Sequence, residues 1–241
     1  MITEVSEWLR GASQIAVLTG AGISAESGVP VFRGHSGLWR QFRAEDLATP
    51  DAFARQPALV WEWYLWRRAL IARATPNEGH RVLARLQQHK GATVTLLSQN
   101  VDGLHRRAGS PSVIELHGNL WRVRCADDCG LVVHDVESDP PRTNLRCRCG
   151  AWLRPDVVWF GEPLDAGTLQ RATTAVEQAD VVLVVGTSAV VYPVAALPEI
   201  ARRRRARIVE VNIDETPLTP RVDAHLRGPA ASILPQLEEQ L

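Results

Sequence analysis

The chain has 241 residues, of which 45% are hydrophobic and 22% are charged, as is typical of a folded globular protein. Its 27 basic and 27 acidic residues give a formal charge of zero, which offers no electrostatic reason to expect nucleic-acid or membrane binding. The length suits one large α/β domain that carries a smaller insertion.

The N-terminal segment 3–10 has the pattern of an amphipathic helix and is too polar for a signal peptide. No apolar run approaches the length needed to cross a bilayer, and no sustained heptad repeat is present. We therefore expect a cytoplasmic monomer that binds neither nucleic acid nor membrane.

Four short β-branched runs end in small or polar residues, and segments with helical patterns separate them. This order predicts an α/β fold with a parallel sheet covered on both faces. Ligands of such sheets bind at the carboxyl ends of the strands, so the polar residues that follow the runs should line one crevice. The predicted strands are 15–18, 93–97, 181–185 and 208–211.

The first strand leads into a loop that contains Gly20 and Gly22. Because glycine lacks a Cβ, the backbone can turn tightly and a phosphate can approach its N–H groups, with Arg33 as a nearby cation. The usual dinucleotide motif has a third glycine where this chain has Ala25. The loop predicts an unusual dinucleotide cradle, with a plain strand-to-helix turn as the alternative.

Segment 30–75 is rich in Trp, Arg and Leu and predicts helices inserted after the first strand. Tyr64 and Arg67 are three positions apart, so they share a helix face. A phenol and a guanidinium on one face can bind a carboxylate, the guanidinium through two parallel hydrogen bonds. The alternative is an amphipathic helix in which Tyr64 packs with Trp61 and Arg67 is solvated.

The loop after the second predicted strand carries Gln99, Asn100 and Asp102, whose side chains suit ribose and carboxamide ligands. A turn that only caps the next helix is the alternative. Further along, His117 precedes a glycine. A histidine can serve as a general base at physiological pH, although a lone histidine is more often a structural hydrogen-bonding group.

The four cysteines form two close pairs, Cys125 with Cys129 and Cys147 with Cys149. Four thiolates suit tetrahedral Zn²⁺ and leave no open coordination position, so the spacing predicts one structural zinc rather than four free thiols. The second pair is separated by one residue only. It therefore stays open whether both of its sulfurs reach one ion, and His134 is the substitute ligand.

Several motifs occur together and in order: Gly-Ala-Gly at 20–22, Val-Pro-Val-Phe-Arg at 29–33, Gln-Asn-Val-Asp at 99–102, His-Gly at 117–118, the paired cysteines, Gly-Thr-Ser at 186–188 and Asn-Ile-Asp at 212–214. The set resembles the sirtuins, NAD-dependent protein-lysine deacylases, across essentially the whole chain. The resemblance implies a Rossmann-like NAD-binding domain (1–29, 76–121 and 155–241), a helical insertion (30–75) and a zinc-binding module (122–154).

The resemblance also implies residue roles, with His117 as the general base. The implied NAD contacts are Gly20, Ala21, Gly22, Phe32, Arg33, Trp39, Gln99, Asn100, Val101, Asp102, Gly186, Thr187, Ser188, Asn212, Ile213, Asp214 and Ala230. The implied substrate contacts are Ala48, Tyr64, Arg67, Val157, Phe160 and Gly161. NAD would be a co-substrate, zinc a structural ion, and acyl-lysine proteins or peptides the partners.

In the reaction that the resemblance implies, the acyl-lysine oxygen attacks the ribose carbon that bears nicotinamide, and nicotinamide leaves. His117 then deprotonates a ribose hydroxyl that attacks the resulting imidate, and water releases free lysine and O-acyl-ADP-ribose. The pair Tyr64 and Arg67, the small Ala48 and the segment 154–160 resemble the sirtuin branch that removes succinyl, malonyl and glutaryl groups, which predicts weaker deacetylation. The segments 157–162 and 190–192 resemble the walls that hold a peptide substrate by strand addition.

Three other functions stay open from the sequence: a protein deacetylase, an ADP-ribosyltransferase on the same fold, and a non-catalytic NAD-sensing module. A hydride-transferring dehydrogenase is disfavoured, because no acidic residue ends a second strand about 20 residues after the glycines.

Overall fold

Short aliphatic runs form the strands at the centre of the molecule. The computed structural model describes residues 1–30, 42–88, 91–134 and 145–241, without the side chain of His134. In these ranges the strands are β1 (Gln14–Thr19), β2 (Thr93–Ser98), β3 (Ile114–Glu115), β4 (Gly118–Cys125), β5 (Val132–His134), β6 (Leu153–Val157), β7 (Val181–Val185), β8 (Arg207–Asn212) and β9 (Ala224–Arg227).

The larger sheet has six parallel strands in the order β3-β2-β1-β7-β8-β9. This is the Rossmann-like arrangement, in which the chain builds outward from β1 first on one side and then on the other. All four predicted strands are present in it, which confirms the predicted α/β fold.

Helices cover the large sheet on both faces. The helices of the described ranges are α1 (Ile2–Gly11), α2 (Gly22–Ala25), α3 (Ala44–Leu47), α4 (Pro50–Arg55), α5 (Pro57–Arg73), α6 (Glu78–Gln88), α7 (Leu104–Arg107), α8 (Ala166–Gln178), α9 (Leu197–Arg203) and α10 (Ala230–Glu238). In β1, Ile15 and Val17 pack in one apolar cluster with α1, α6 and α10, whereas Ala16 and Leu18 pack in another with α8 and α9. Burial on both faces explains why the strands are apolar throughout.

The smaller sheet is antiparallel, in the order β5-β4-β6, and shares an apolar cluster with α4 and α5. Gly118 pairs with Val157 where β4 begins and β6 ends. A Cβ on Gly118 would lie 2.1 Å from the carbonyl oxygen of Asp156, and the residue has a φ of +80°, so only glycine fits this position. His117 is thereby fixed beside the end of β6.

This smaller sheet extends beyond the predicted module 122–154 at both ends. The division into an NAD-binding domain, a helical insertion and a zinc-binding module stays a prediction. In the described ranges, no helix combines the length and the apolar content that crossing a bilayer requires.

Candidate active site

The carboxyl ends of β1 and β7 flank the position where the strand order changes direction, which is where ligands of such sheets bind. A Cβ on Gly22 would lie 2.7 Å from the Cα of Gly186, and one on Gly20 would lie 2.8 Å from the Gly186 oxygen. The N–H of Gly22 donates to Gly186 (2.8 Å), and that of Gly20 donates to Val185 (3.0 Å).

The glycines after β1 and β7 are thus required by each other, because the two strand ends touch through their backbones. Close packing of the backbone, rather than room for a phosphate, is therefore what these glycines provide. The N–H of Gly20 bonds to the last residue of β7 and that of Gly22 to the turn after it, so neither is the amide that would face a phosphate.

A cavity of about 620 Å³ lies at this edge of the sheet. It brings together groups that follow β1, β2, β7 and β8 with groups from α5 and the end of β6. The predicted site residues that line it are Gly20, Ala21, Gly22, Ala48, Tyr64, Arg67, Gln99, Asn100, Val101, His117, Val157, Phe160, Gly161, Gly186, Thr187, Ser188, Asn212, Ile213 and Asp214.

Two predicted residues lie behind the wall of this cavity rather than on it. Asp102 is buried, and its carboxylate accepts hydrogen bonds from the Ser24 hydroxyl (2.7 Å) and the Leu104 N–H (2.8 Å). Ala230 is buried at the start of α10. Three further predicted residues, Phe32, Arg33 and Trp39, lie outside the described part of the chain.

The polar residues that follow β2 are held by the neighbouring turns. The Asn100 amide donates to the Gly20 carbonyl at 3.0 Å, which fixes it against the glycine loop. The Gln99 amide donates to the Thr187 hydroxyl at 3.0 Å, and the Asn212 amide donates to the Thr187 carbonyl at 2.9 Å. These bonds position amide groups on the cavity wall, where ribose and carboxamide ligands need them.

His117 lies between β3 and β4, with its Nδ1 3.0 Å from the carbonyl oxygen of Gln99. A carbonyl oxygen only accepts, so Nδ1 carries the hydrogen and Nε2 keeps its lone pair. Burial lowers the pKa of His117, and the hydrogen bond to Gln99 opposes this in part. The imidazole is therefore neutral at physiological pH, as a general base must be.

Tyr64 and Arg67 both line the cavity from α5. Tyr64 is 3% exposed and packs edge-on against Trp63, with ring centroids 4.6 Å apart. The Arg67 guanidinium lies 5.3 Å from the centroid of the Trp63 ring. Helix α5 is buried on several sides and is therefore not amphipathic, and Arg67 on it is half-buried.

Burial also governs the ionisation of this pair. It raises the pKa of Tyr64, so the phenol keeps its hydrogen at physiological pH. Burial lowers the pKa of Arg67, while the nearby Tyr64 and Asp102 raise it. An arginine keeps its charge in proteins, so the cavity wall presents a cation next to a hydrogen-bond donor.

The four cysteine sulfurs all lie within 4.8 Å of one another. The Sγ atoms of Cys125 and Cys149 are 3.5 Å apart, and those of Cys129 and Cys147 are 3.4 Å apart. Tetrahedral zinc with ordinary Zn–S bonds separates its sulfurs by about 3.8 Å, so the cluster fits one structural Zn²⁺. Both sulfurs of the second pair reach the cluster, and no substitute such as His134 is needed.

The cavity wall also includes the segments 157–162 and 190–192, which the resemblance to sirtuins marks as peptide-binding walls. Sequence reasoning missed other residues of the wall. Trp63 stands directly beside the predicted Tyr64, so its position was the available signal. The remaining residues belong to no motif and gave no signal. They are Glu45, Leu164, Glu215, Thr216 and Pro217.

Known proteins with the same arrangement identify the family. The model of the Sir2 family matches residues 20–193. An NAD-dependent protein deacylase of Aquifex aeolicus (strain VF5) is 51% identical, with 94% of this chain and 95% of the relative covered. One of Pyrococcus furiosus is also 51% identical, with 100% and 98% covered.

Solved structures agree. A crystal structure of a Sir2 homologue–NAD complex has a TM-score of 0.92 and 46% identity, with 98% of this chain and 93% of that chain covered. The complex of a Sir2 homologue S24A mutant with ADP-ribose has a TM-score of 0.93 and 45% identity, with 98% and 95% covered. The chain therefore belongs to the Sir2 family of NAD-dependent protein deacylases.

Proposed function

We propose that this enzyme preferentially removes negatively charged acyl groups (succinyl, malonyl and glutaryl) from lysine side chains, and removes acetyl groups more slowly. The products would be nicotinamide, free lysine and O-acyl-ADP-ribose. The observation that carries the proposal is the position of Tyr64 and Arg67 on the wall of the cavity that also contains His117.

The charge of Arg67 supports this acyl preference. Its guanidinium is withdrawn from water, and burial lowers its pKa, so the charged form is destabilised in the free enzyme. A carboxylate at the far end of an acyl chain would offset this cost with charge-assisted hydrogen bonds, whereas a methyl group would not. The cavity would therefore bind an acidic acyl group more tightly than an acetyl group.

A small residue elsewhere on the wall supports the proposed room for a longer acyl chain. Ala48 lines the cavity with a single methyl group, and its carbonyl accepts a hydrogen bond from the Phe160 N–H at 2.9 Å. This bond fixes the wall near Val157, so the width of the cavity is set by backbone rather than by a mobile side chain. A succinyl chain needs such space between the reacting atoms and its carboxylate.

NAD would supply the electrophilic ribose carbon and a hydroxyl next to it. Nε2 of His117 would take the proton of that hydroxyl, since Nδ1 is committed to the Gln99 carbonyl. Asn100 would bind the nicotinamide side, and Asn212 and Asp214 the adenosine side. Apolar walls such as Val157 exclude water, which would otherwise compete with the acyl oxygen.

The acyl-lysine would enter as part of an extended peptide. The chain from Val157 to Gly161 follows strand β6 along the cavity, and Phe160 (45% exposed) and Tyr192 (77% exposed) offer aromatic surface on its wall. A peptide lying along this wall in extended form would bind in the manner of an added strand. A solved Sir2 enzyme with 31% identity and a TM-score of 0.86 holds a p53 peptide with NAD.

The test compares Arg67→Met with the wild type on succinyl-, malonyl-, glutaryl- and acetyl-lysine peptides, with nicotinamide release as the signal. We expect kcat/KM for the acidic acyl groups to fall about 100-fold or more, because a buried charge pair is lost. Deacetylation should change less than about threefold.

Arg73→Met is the matched control, since Arg73 is an exposed arginine at the end of the same helix. It should leave all four rates unchanged. If Arg67→Met lowered all four equally, the acyl preference would be wrong and the enzyme would act as a general deacylase. Absence of O-acyl-ADP-ribose would instead favour ADP-ribosyl transfer.

A further inference from the structure

We infer that Trp159 is a positioning residue for acyl specificity: its indole fixes the Tyr64 hydroxyl so that the phenol hydrogen points to the acyl carboxylate. This inference rests on the proposed preference for acidic acyl groups. It assigns part of that preference to a residue 95 positions away from Tyr64 in the chain.

The contact between the two side chains has a defined polarity. Trp159 Nε1 lies 2.8 Å from the Tyr64 hydroxyl oxygen, and both residues are 3% exposed. An indole nitrogen can only donate, so the phenol oxygen must accept in this bond. The hydrogen of the Tyr64 hydroxyl therefore points away from Trp159, and Tyr64 can donate it to an acceptor bound in the cavity.

Two neighbouring side chains hold the indole itself. The Phe53 ring packs 5.1 Å from it between centroids, and the Arg154 guanidinium lies 3.3 Å from its ring centroid. Arg154 is in turn bound to Glu162 through two hydrogen bonds of 2.5 and 2.8 Å. Glu162 also accepts the backbone N–H of Trp159 at 2.9 Å, which closes the network.

This network gives the indole one orientation. A side chain whose rotamer is locked by packing and hydrogen bonds holds its own partner more accurately than a mobile one does. The Arg154 cation over the ring face also increases the positive character of the indole edge, which strengthens the bond to Tyr64. Because Tyr64 is buried and neutral, its hydroxyl remains a donor at physiological pH.

The decisive variant is Trp159→Phe, which keeps an aromatic ring and removes the N–H donor. We expect kcat/KM for the succinyl peptide to fall about tenfold, mainly through a higher KM, as for loss of one ordinary hydrogen bond. Deacetylation should fall less than about threefold. The ratio of the two rates is the readout, because a general packing defect would lower both.

Trp61→Phe is the matched control. Trp61 is also buried, and its indole also donates at 2.8 Å, but to the Leu153 carbonyl and not to Tyr64. This substitution should lower thermal stability at least as much as Trp159→Phe does. It should leave the ratio of desuccinylation to deacetylation unchanged.

A double variant tests whether Trp159 acts through Tyr64. In a Tyr64→Phe background, Trp159→Phe should cause no further loss of desuccinylation, since the oriented hydroxyl is already gone. Fully additive losses, or an equal loss on both substrates, would overturn the inference. Arg67→Met distinguishes failure of this inference from failure of the proposed function. If Arg67→Met leaves the ratio of desuccinylation to deacetylation unchanged, the proposed function is rejected. If Arg67→Met lowers that ratio and Trp159→Phe does not, only the role of Trp159 is rejected.

Discussion

At the scale of single residues, His117 derives its chemistry from one hydrogen bond and from burial. The Gln99 carbonyl holds the Nδ1 hydrogen, and withdrawal from water keeps the ring neutral. As the proposed general base, His117 would be ready before substrate binds. Its state can be measured through the pH dependence of the reaction.

We predict that the acidic limb of kcat/KM lies below pH 6.5, the ordinary value for histidine. The pKa of His117 is lowered, so the active neutral form persists to lower pH than it would for a solvated imidazole. The rate should rise with pH through that pKa and stay flat above it. A limb centred at or above pH 7 would contradict this.

The glycines of the first loop show where sequence reasoning at residue scale succeeds and fails. The motif correctly marked Gly20 and Gly22 as members of the cavity wall. Their physical cause was not visible, because the backbone that excludes a Cβ belongs to Gly186, far away in the chain. A local sequence pattern indicates that there is no room for a side chain, but it does not indicate which distant residue fills the space.

At the scale of elements, β4 and β6, the strands next to His117, could not be predicted from the sequence, unlike the strands of the large sheet. The strands of the large sheet are buried on both faces, so their composition is continuous and recognisable. Strands β4 and β6 form an antiparallel pair with mixed polar and apolar side chains, joined by a long connection. The cysteines predicted a zinc-binding module in this region, but Cys125 lies at the far end of β4 from His117.

We predict that zinc removal inactivates the enzyme, although zinc is remote from the chemistry. The ion joins the end of β4 to the chain before β6, and these strands fix His117 and Val157 respectively. After chelation, amide hydrogen exchange should rise across residues 118–125 and stay low across 93–98. Added zinc should restore both protection and rate; full activity in metal-free protein would contradict this.

At the scale of the whole molecule, two buried histidines couple stability to pH. His80 is 0% exposed and His105 is 3% exposed, with ring centroids 4.9 Å apart. Burial lowers the pKa of His80 to about 4 and that of His105 to about 3. The unfolded chain, with histidines near 6.5, therefore binds more protons than the folded chain does in mild acid.

We predict that the free energy of unfolding is constant above about pH 6.5 and falls as the pH drops from there toward 4. Each histidine contributes a slope of about 1.4 kcal/mol per pH unit. Urea unfolding between pH 4.5 and 6.5 isolates this effect from most carboxylates. His105→Gln should remove about half of the slope, and an unchanged slope would contradict the assignment.

The parallel sheet was predictable because its strands are buried on both faces and form continuous apolar runs, whereas the wall around Tyr64 was only partly predictable. Tyr64 and Arg67 could be recognised as a pair on one helix face. The contact of Trp159 with Tyr64 could not, since nothing in the sequence joins the two residues across 95 positions. Tertiary contacts of single side chains have no periodic pattern from which they can be read.

The residues of the cavity come from two parts of the fold, and this has a consequence for how the enzyme can evolve. Tyr64 and Arg67 come from helix α5, whereas His117 and Gly20 follow strands of the large sheet. If Tyr64 and Arg67 set the acyl preference as proposed, substitutions on one helix face would change the substrate range of a lineage and leave the residues of the large sheet unchanged.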